Sequence, residues 1–353
     1  MNKLFTIAKN TFIQTLRQPV YAIIIVAALF LFFISPSLTM YTMSDDNKLL
    51  REIGLSTLFL TSLFIAIFSA SGAVAEELEK KTITTVLSKP VQRPIFIIAK
   101  FLGVTAAVVL AHYICTIALL MAIRHGVLET VNDTHDWTVL GTAAAVILAA
   151  FLLSAFFNYI YEWKFSSTAI VLTGILATFG MVFLSFVDRD WQFNPLYGMN
   201  AVDVYGSLLL LLAAIIIVAL AVALSARFNI VVTLSACIGI FLLGLVSDYA
   251  FSGVKGYEVK NLQTGQYEFF QGSDLPAETD KYDLENKVPQ RYLWATIGRF
   301  LVPNLQIFWI SDAIYEGSEV PPRYIAISAS YTLCYTTAIL ALAIALFQRR
   351  QVG

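Results

Sequence analysis

The sequence predicts an all-α integral membrane protein with about eight transmembrane helices, and three observations carry that prediction. Charged residues make up 13% of the 353 residues, half the ~25% of an ordinary soluble chain. That is too little to coat a water-exposed surface, and with a mean hydropathy of +0.74 it excludes a disordered chain and a soluble enzyme of normal make-up. The chain also contains eight charge-free windows of 20 to 27 residues, 187 residues in all, each long enough for a span of roughly 20 apolar residues. Finally, Lys and Arg are distributed asymmetrically once these windows are threaded in alternation.

Residues 1–17 are too polar to span. Leu4, Phe5, Ala8, Phe12 and Leu16 recur at helical spacing, which predicts an amphipathic helix at the interface, ended by Pro19. The windows follow: Gln18–Ser44, Ile53–Ala75, Phe101–Ile123, Thr138–Tyr161, Phe165–Val187, Val204–Ala226, Phe228–Ser247 and Tyr324–Phe347. The first is too long for a cleaved leader and reads as a retained span. Val204–Ser247 is broken only by Arg227; as one helix it would run about 65 Å, twice the hydrocarbon thickness, so a tight turn at Ala226–Phe228 is expected. Glu162 and Lys164 mark a similar turn.

With the N-terminus in the cytoplasm, 12 of the 23 basic residues fall on that side with only four acids, Glu76, Glu77, Glu79 and Glu162; the other 11 face 20 acids. Positive residues favour the cytoplasmic side, so both termini are expected there, in the cytoplasmic (inner) membrane. Three regions follow: residues 1–247 with a cytoplasmic loop at 76–100, an external segment 248–323, and the last span with its tail, 324–353.

Two segments outside the windows are informative. In 76–100, Glu76, Glu77 and Glu79 precede Lys80 and Lys81, the order a helix dipole favours. Ile83, Val86 and Leu87 form one apolar face, Pro90 ends the helix, and Pro94 opens the next. A short stiff helix joined to two spans is the part a membrane protein needs to receive force from a soluble partner. In 248–323, Tyr257–Phe270 around Thr264-Gly265 reads as a hairpin, and Gly272–Gln290 as loop. Arg291–Gly317, rich in aromatics, reads as a helix pair in the outer interface, where Trp and Tyr concentrate; a gate and a structural lid are equally compatible with it.

Glu77, Thr82, Leu87, Pro90, Arg93, Phe96 and Lys100, leading into a glycine-bearing span, resemble the pattern after the second span of ABC-2 type transporter permeases. Residues 1–20 resemble that family's amphipathic N-terminal helix, Pro303–Phe308 its external Pro-containing element, and Leu346–Arg350 its cytoplasmic exit. Among subgroups, the resemblance is to permeases associated with copper-enzyme maturation in nitrous oxide reduction. The resemblance implies a coupling helix that docks into a separate ATPase subunit, through Glu76, Glu77, Glu79, Lys80, Thr82, Leu87, Pro90 and Arg93, and a second permease copy or homologue. The family core has six spans, so the surplus falls in 138–226.

The chain has no G-x-x-x-x-G-K-[ST] phosphate loop. ATP and Mg would therefore be bound by the partner subunit, with no cofactor in this chain. A net charge of −1 gives no basic excess for nucleic acid. Cys115, Cys237 and Cys334 form no C-x-x-C pair and read as packing residues. Asp133, His135 and Asp136 are a metal-ligand candidate set, but three polar residues in a short loop are more commonly solvated. Within the windows the only ionisable residue is His112, which disfavours a proton-coupled carrier or charged pore. Gly174 with Thr178, and Ala341 with Ala345, are expected to pack helices within the chain. The leading expectation is the permease subunit of an ATP-driven exporter. The alternative is a membrane scaffold or assembly factor whose external segment binds a partner; a membrane enzyme lacks any recognisable catalytic constellation.

Overall fold

The computed structural model describes residues 2–39, 46–75, 92–128, 134–195, 197, 200–271, 281–310 and 320–348. It divides into two units, residues 1–237 with 308–353, and residues 238–307.

The first unit is helical. Its elements are α1 (Asn2–Leu16), α2 (Pro19–Leu38), α3 (Asp46–Ala70) continued by a π-helical turn (Ser71–Ala75), α4 (Arg93–His125), α5 (Trp137–Tyr161), α6 (Phe165–Leu184), α7 (Ala201–Ser225) and α11 (Pro322–Gln348). Among the described residues, seven helices (α2 to α7 and α11) are long and apolar enough to cross a membrane. The eighth window is a shorter helix, α8 (Ile230–Leu245, 16 residues), at the boundary of the two units. Asn229 starts it late by capping the Val232 N–H at 3.0 Å, and the chain breaks at Val246 before a four-residue helix, α9 (Ser247–Ala250). At 1.5 Å per residue α8 is about 24 Å long, short of the ~30 Å hydrocarbon layer.

Most helices outrun their charge-free windows. α4 has 33 residues, about 50 Å, so both of its charged ends project beyond the hydrocarbon layer. α2 contains Pro36, which leaves the Phe32 carbonyl without its helical donor; the Ser35 hydroxyl donates to that oxygen at 2.9 Å. The turn between α5 and α6 falls at Glu162, whose φ of 56° lies in the left-handed region while its N–H closes onto the Asn158 carbonyl at 3.1 Å.

α3, α4 and α7 form the inside of the unit, with α2, α5, α6 and α11 around them. α1 is helical as expected, but its inward face differs from the expected stripe. Thr11, Thr15 and Leu16 are buried while Phe5 is exposed, because α1 packs along α4. Gly103 makes that contact possible: a Cβ there would sit 2.6 Å from the Ala8 carbonyl oxygen. Gly174 packs α6 against Ile114 of α4, as expected. Ala341 and Ala345 do not pack internally. α11 buries Thr332, Thr336, Ile339, Ala343 and Phe347, and the two alanines fall on the opposite, exposed face.

The second unit holds the end of α8, α9, a three-stranded antiparallel sheet and a short helix, α10 (Leu293–Leu301). The strands are β1 (Val254–Asn261), β2 (Tyr267–Gln271) and β3 (Tyr282–Arg291), ordered β2-β1-β3. The expected hairpin is β1–β2, turning at Gly265 with φ 73°, where its N–H bonds the Asn261 carbonyl at 2.8 Å. The expected loop 272–290 is corrected in its second half. β3 pairs with the other edge of β1, Pro289 opposite Tyr257, and proline is tolerated because β3 is an edge strand. Hydrogen bonds from Asn261 Nδ2 (2.7 Å) and the Tyr282 hydroxyl (3.0 Å) hold the Glu268 carboxyl below its usual range.

In place of the expected helix pair, the described part of 291–317 contains α10 and one 3-10 turn, Gln306–Phe308. Nine residues of helix span about 14 Å, too little to cross a membrane. Gly298 and Ala295 of α10 face inward, Gly298 against the Phe251 ring, while Leu293, Trp294, Phe300 and Leu301 are exposed. The Pro-containing element docks on the end of α8: the Leu305 N–H bonds the Gly244 carbonyl at 3.1 Å, Asn304 Nδ2 reaches Asp248 at 2.9 Å, and Arg299 pairs with the same carboxylate.

Candidate functional site

Glu76, Glu77, Glu79, Lys80, Thr82, Leu87 and Pro90 lie outside the described residues. Arg93 is described, as the first residue of α4. Gln92 precedes it with an extended backbone and Pro94 follows in the first turn, where its missing N–H leaves no helical bond unmade. What the structure defines is how the two flanks of the segment are held.

The upstream flank is the π turn Ser71–Ala75, a helical form that concentrates at functional positions. Gly72 lies so close to the Gln18 amide that a Cβ would collide with it, and the Ser71 and Ser225 hydroxyls meet at 3.4 Å. Downstream, Phe96 is fully buried and stacks on Phe347 with ring centres 5.8 Å apart. Lys100, also buried, places Nζ 5.5 Å from the Phe96 ring. One end of the helical unit thus gathers the start of α2, the end of α3, the start of α4 and the ends of α7 and α11. These contacts join the two flanks of residues 76–91 to the ends of α2, α7 and α11.

Deeper in the unit lies a polar cluster. The His112 Nε2–H donates to the Ser207 carbonyl at 2.9 Å; a carbonyl can only accept, so the ring proton is on Nε2 and Nδ1 accepts from the Ser62 hydroxyl at 2.8 Å. Thr116 donates to the His112 carbonyl at 2.8 Å and meets the Ser207 hydroxyl at 2.6 Å. The neutral imidazole thereby joins α3, α4 and α7 with both nitrogens satisfied, which is what burial among apolar spans requires. A cavity of about 360 Å³ lies beside it, lined by His112, Tyr113, Thr116, Thr178 and Ser207 among apolar residues.

The opposite end carries ion pairs that the charge-free windows could not contain. Arg51 of α3 reaches the buried Asp203 of α7 at 3.0 Å. Asp136 is wholly buried. Its Oδ1 caps α5, accepting from the Thr138 and Val139 N–H groups at 3.1 and 3.2 Å. Its Oδ2 lies 3.8 Å from Arg124 Nε and 3.7 Å from Arg189 Nε. Arg124 also donates to the Leu184 and Val187 carbonyls, so one carboxylate and two guanidiniums bind together the ends of α4, α5 and α6. Of the candidate metal set, Asp136 is committed to the cap and the arginines and Asp133 lies outside the described residues; among the described residues no group of three such ligands is placed to hold a metal. Cys115 and Cys237 are buried apart, and Cys334 is exposed.

The pairing of ends is internally consistent. Residues 18, 72, 96, 225 and 347 meet at one end, and 51, 124, 136, 189 and 203 at the other, as alternating spans require.

Residues 5–161, from α1 to the end of α5, match the family described as ABC-2 family transporter protein. No curated protein matches the chain. The matched region includes both flanks of segment 76–91, and the match is to the family without resolving a subgroup. Over these residues the chain is similar to the ABC-2 family of transporter proteins, and its described helices are those of an all-α multi-pass membrane protein.

Proposed function

We propose that this chain is the permease subunit of an ATP-driven exporter in the cytoplasmic (inner) membrane, with both termini in the cytoplasm. A separate P-loop ATPase, holding ATP and Mg, pushes on a coupling helix within residues 76–93, and a second permease copy or homologue completes the assembly. The observation that carries this reading is the arrangement of the flanks. The π turn before the segment and the first turns of α4 after it are packed at one end of the bundle against the ends of α2, α7 and α11. Force applied there tilts the inner helices together, since the Ser62–His112–Ser207 hydrogen bonds couple α3, α4 and α7. The absence of a phosphate loop in the sequence is in keeping with hydrolysis on another chain.

The test is purification from the native host through a tag on this chain, with co-purifying proteins identified by mass spectrometry. A P-loop ATPase that co-purifies with the wild-type chain and is lost in Glu77→Ala/Leu87→Ala supports the proposal. Its absence under mild detergent overturns it. The result then favours the scaffold reading, which has one observation of its own in the β1–β3 sheet with exposed Leu262, Tyr267 and Phe269.

A further inference from the structure

The chain has three histidines. His112 is buried with both ring nitrogens engaged. The other two meet where α4 stops and α5 begins, with ring centres 5.5 Å apart. His125 is the last residue of α4 and is buried; His135 is exposed and directly precedes Asp136, the cap of α5. Their sequence neighbours hold them there. Arg124 and Asp136 pair at 3.8 Å with both side chains buried, and Arg189 Nη2 donates to the His125 carbonyl at 2.6 Å. The Trp137 ring packs edge-on against His135 at 6.2 Å. A buried ion pair thus sets the two imidazoles against each other, the kind of support a preorganised site requires.

The His125 Nδ1–H donates to the Gly126 carbonyl at 2.9 Å. A carbonyl only accepts, so the proton is on Nδ1 and Nε2 is a bare lone pair. A backbone carbonyl on the far nitrogen is the partner that fixes the tautomer of metal-bound histidines. The lone pair faces His135 Nδ1 at 3.4 Å, longer than the ~2.7–3.2 Å of an ordinary hydrogen bond from N–H. Two nitrogens on one tetrahedral zinc-class ion, each bonded at about 2.0–2.1 Å, stand ~3.3–3.4 Å apart. His135 needs no second proton for this role. Its single proton sits on Nε2, served by water at an exposed residue, and Nδ1 supplies the second lone pair. The fixed charges nearby, Arg124 and Arg189 against Asp136 and Asp188, balance, so a cation meets no net repulsion.

We propose that His125 Nε2 and His135 Nδ1 are the protein ligands of a zinc-class divalent metal ion, bound where α4 meets α5. Imidazole nitrogens suit such ions. The described residues bring no third ligand of the usual kinds to the pair, so water fills the remaining positions and the ion is exchangeable. Its effect is to clamp the end of α4 to the start of α5. The site uses neither Asp133 nor Asp136, and it is independent of the transport reading.

The full-length chain, purified in detergent through a tag without histidine and stripped with a chelator, would be titrated with ZnCl2 by calorimetry at a pH where imidazole is neutral. Co2+ replaces Zn2+ for the visible spectrum. One ion per chain is expected, with Co2+ bands of nitrogen ligation that disappear in His135→Ala. That variant, at an exposed position that leaves the core untouched, weakens Zn2+ at least about tenfold. Zn2+ raises the unfolding temperature of the wild-type chain and not of His135→Ala. Cys334→Ser, which removes the exposed thiol, leaves the affinity unchanged. The proposal is overturned if no Zn2+ binds at millimolar concentration, if His135→Ala binds it as tightly as the wild-type chain, or if Cys334→Ser abolishes binding.

Discussion

The inner helices α3, α4 and α7 and the outer helices α2, α5, α6 and α11 have overlapping hydropathy but different tasks. In their most apolar stretches the inner three bury 72, 56 and 67% of residues, the outer four between 22 and 28%. Hydropathy does not order them: α3 has a mean of 2.0 and is the most buried, whereas α2 and α5 reach 2.4 and remain largely exposed. The difference lies in polar content. The inner helices contribute the hydrogen-bonded Ser62, His112 and Ser207 and, as a separate joint, the Arg51–Asp203 pair, and the outer faces present Phe, Leu, Ile and Val. Among apolar spans there is little hydrophobic drive for one helix to choose another, so polar joints and small-residue contacts decide which helices stay together.

The largest expected effect falls on the joint between the two groups. Asp136→Ala removes a helix cap and leaves Arg124 buried without its carboxylate, which should lower stability by about 3–5 kcal/mol; thermal unfolding in detergent measures it. A loss below about 1 kcal/mol would mean that α5 and α6 do not depend on this joint. Gly103→Leu comes next. It forces α1 away from α4, with a loss of about 1–3 kcal/mol and faster protease cleavage of α1. Inside the inner group, Ser207→Ala should lose about 1 kcal/mol, and a double-mutant cycle with Ser62→Ala should show coupling through His112. Smallest of all, Leu148→Ala and Phe179→Ala on the exposed faces of α5 and α6 should stay within about 0.5 kcal/mol in detergent. A large loss there would dissolve the distinction between inner and outer helices.

Much of this architecture was legible in the sequence, because a span is a local property. Seven of the eight windows correspond to long helices, and Pro19, Glu162, Ala226 and Gly265 mark turns where expected. The joints were not legible. Counting charge-free windows placed Arg51, Arg124 and Asp203 outside the spans, yet all three lie within helices, where a partner on another helix satisfies them. β3 escaped because an edge strand with exposed charges and Pro289 lacks the alternation that announces a strand; only its pairing with β1 defines it. At the candidate site, the sequence marked residues 76–93 by charge order and prolines. It carried no sign that Gln18, Ser225 and Phe347, far apart in the chain, close around the flanks of that segment.

The central claim is that residues 76–93 receive an ATPase. A photocrosslinking amino acid at position 87, activated in native membranes, tests it most directly. The account predicts an adduct with a P-loop nucleotide-binding chain, which weakens when Glu77 is replaced by Ala. It would be contradicted if no such adduct formed and a membrane-impermeant thiol reagent applied from outside the cell modified a cysteine placed at the same position.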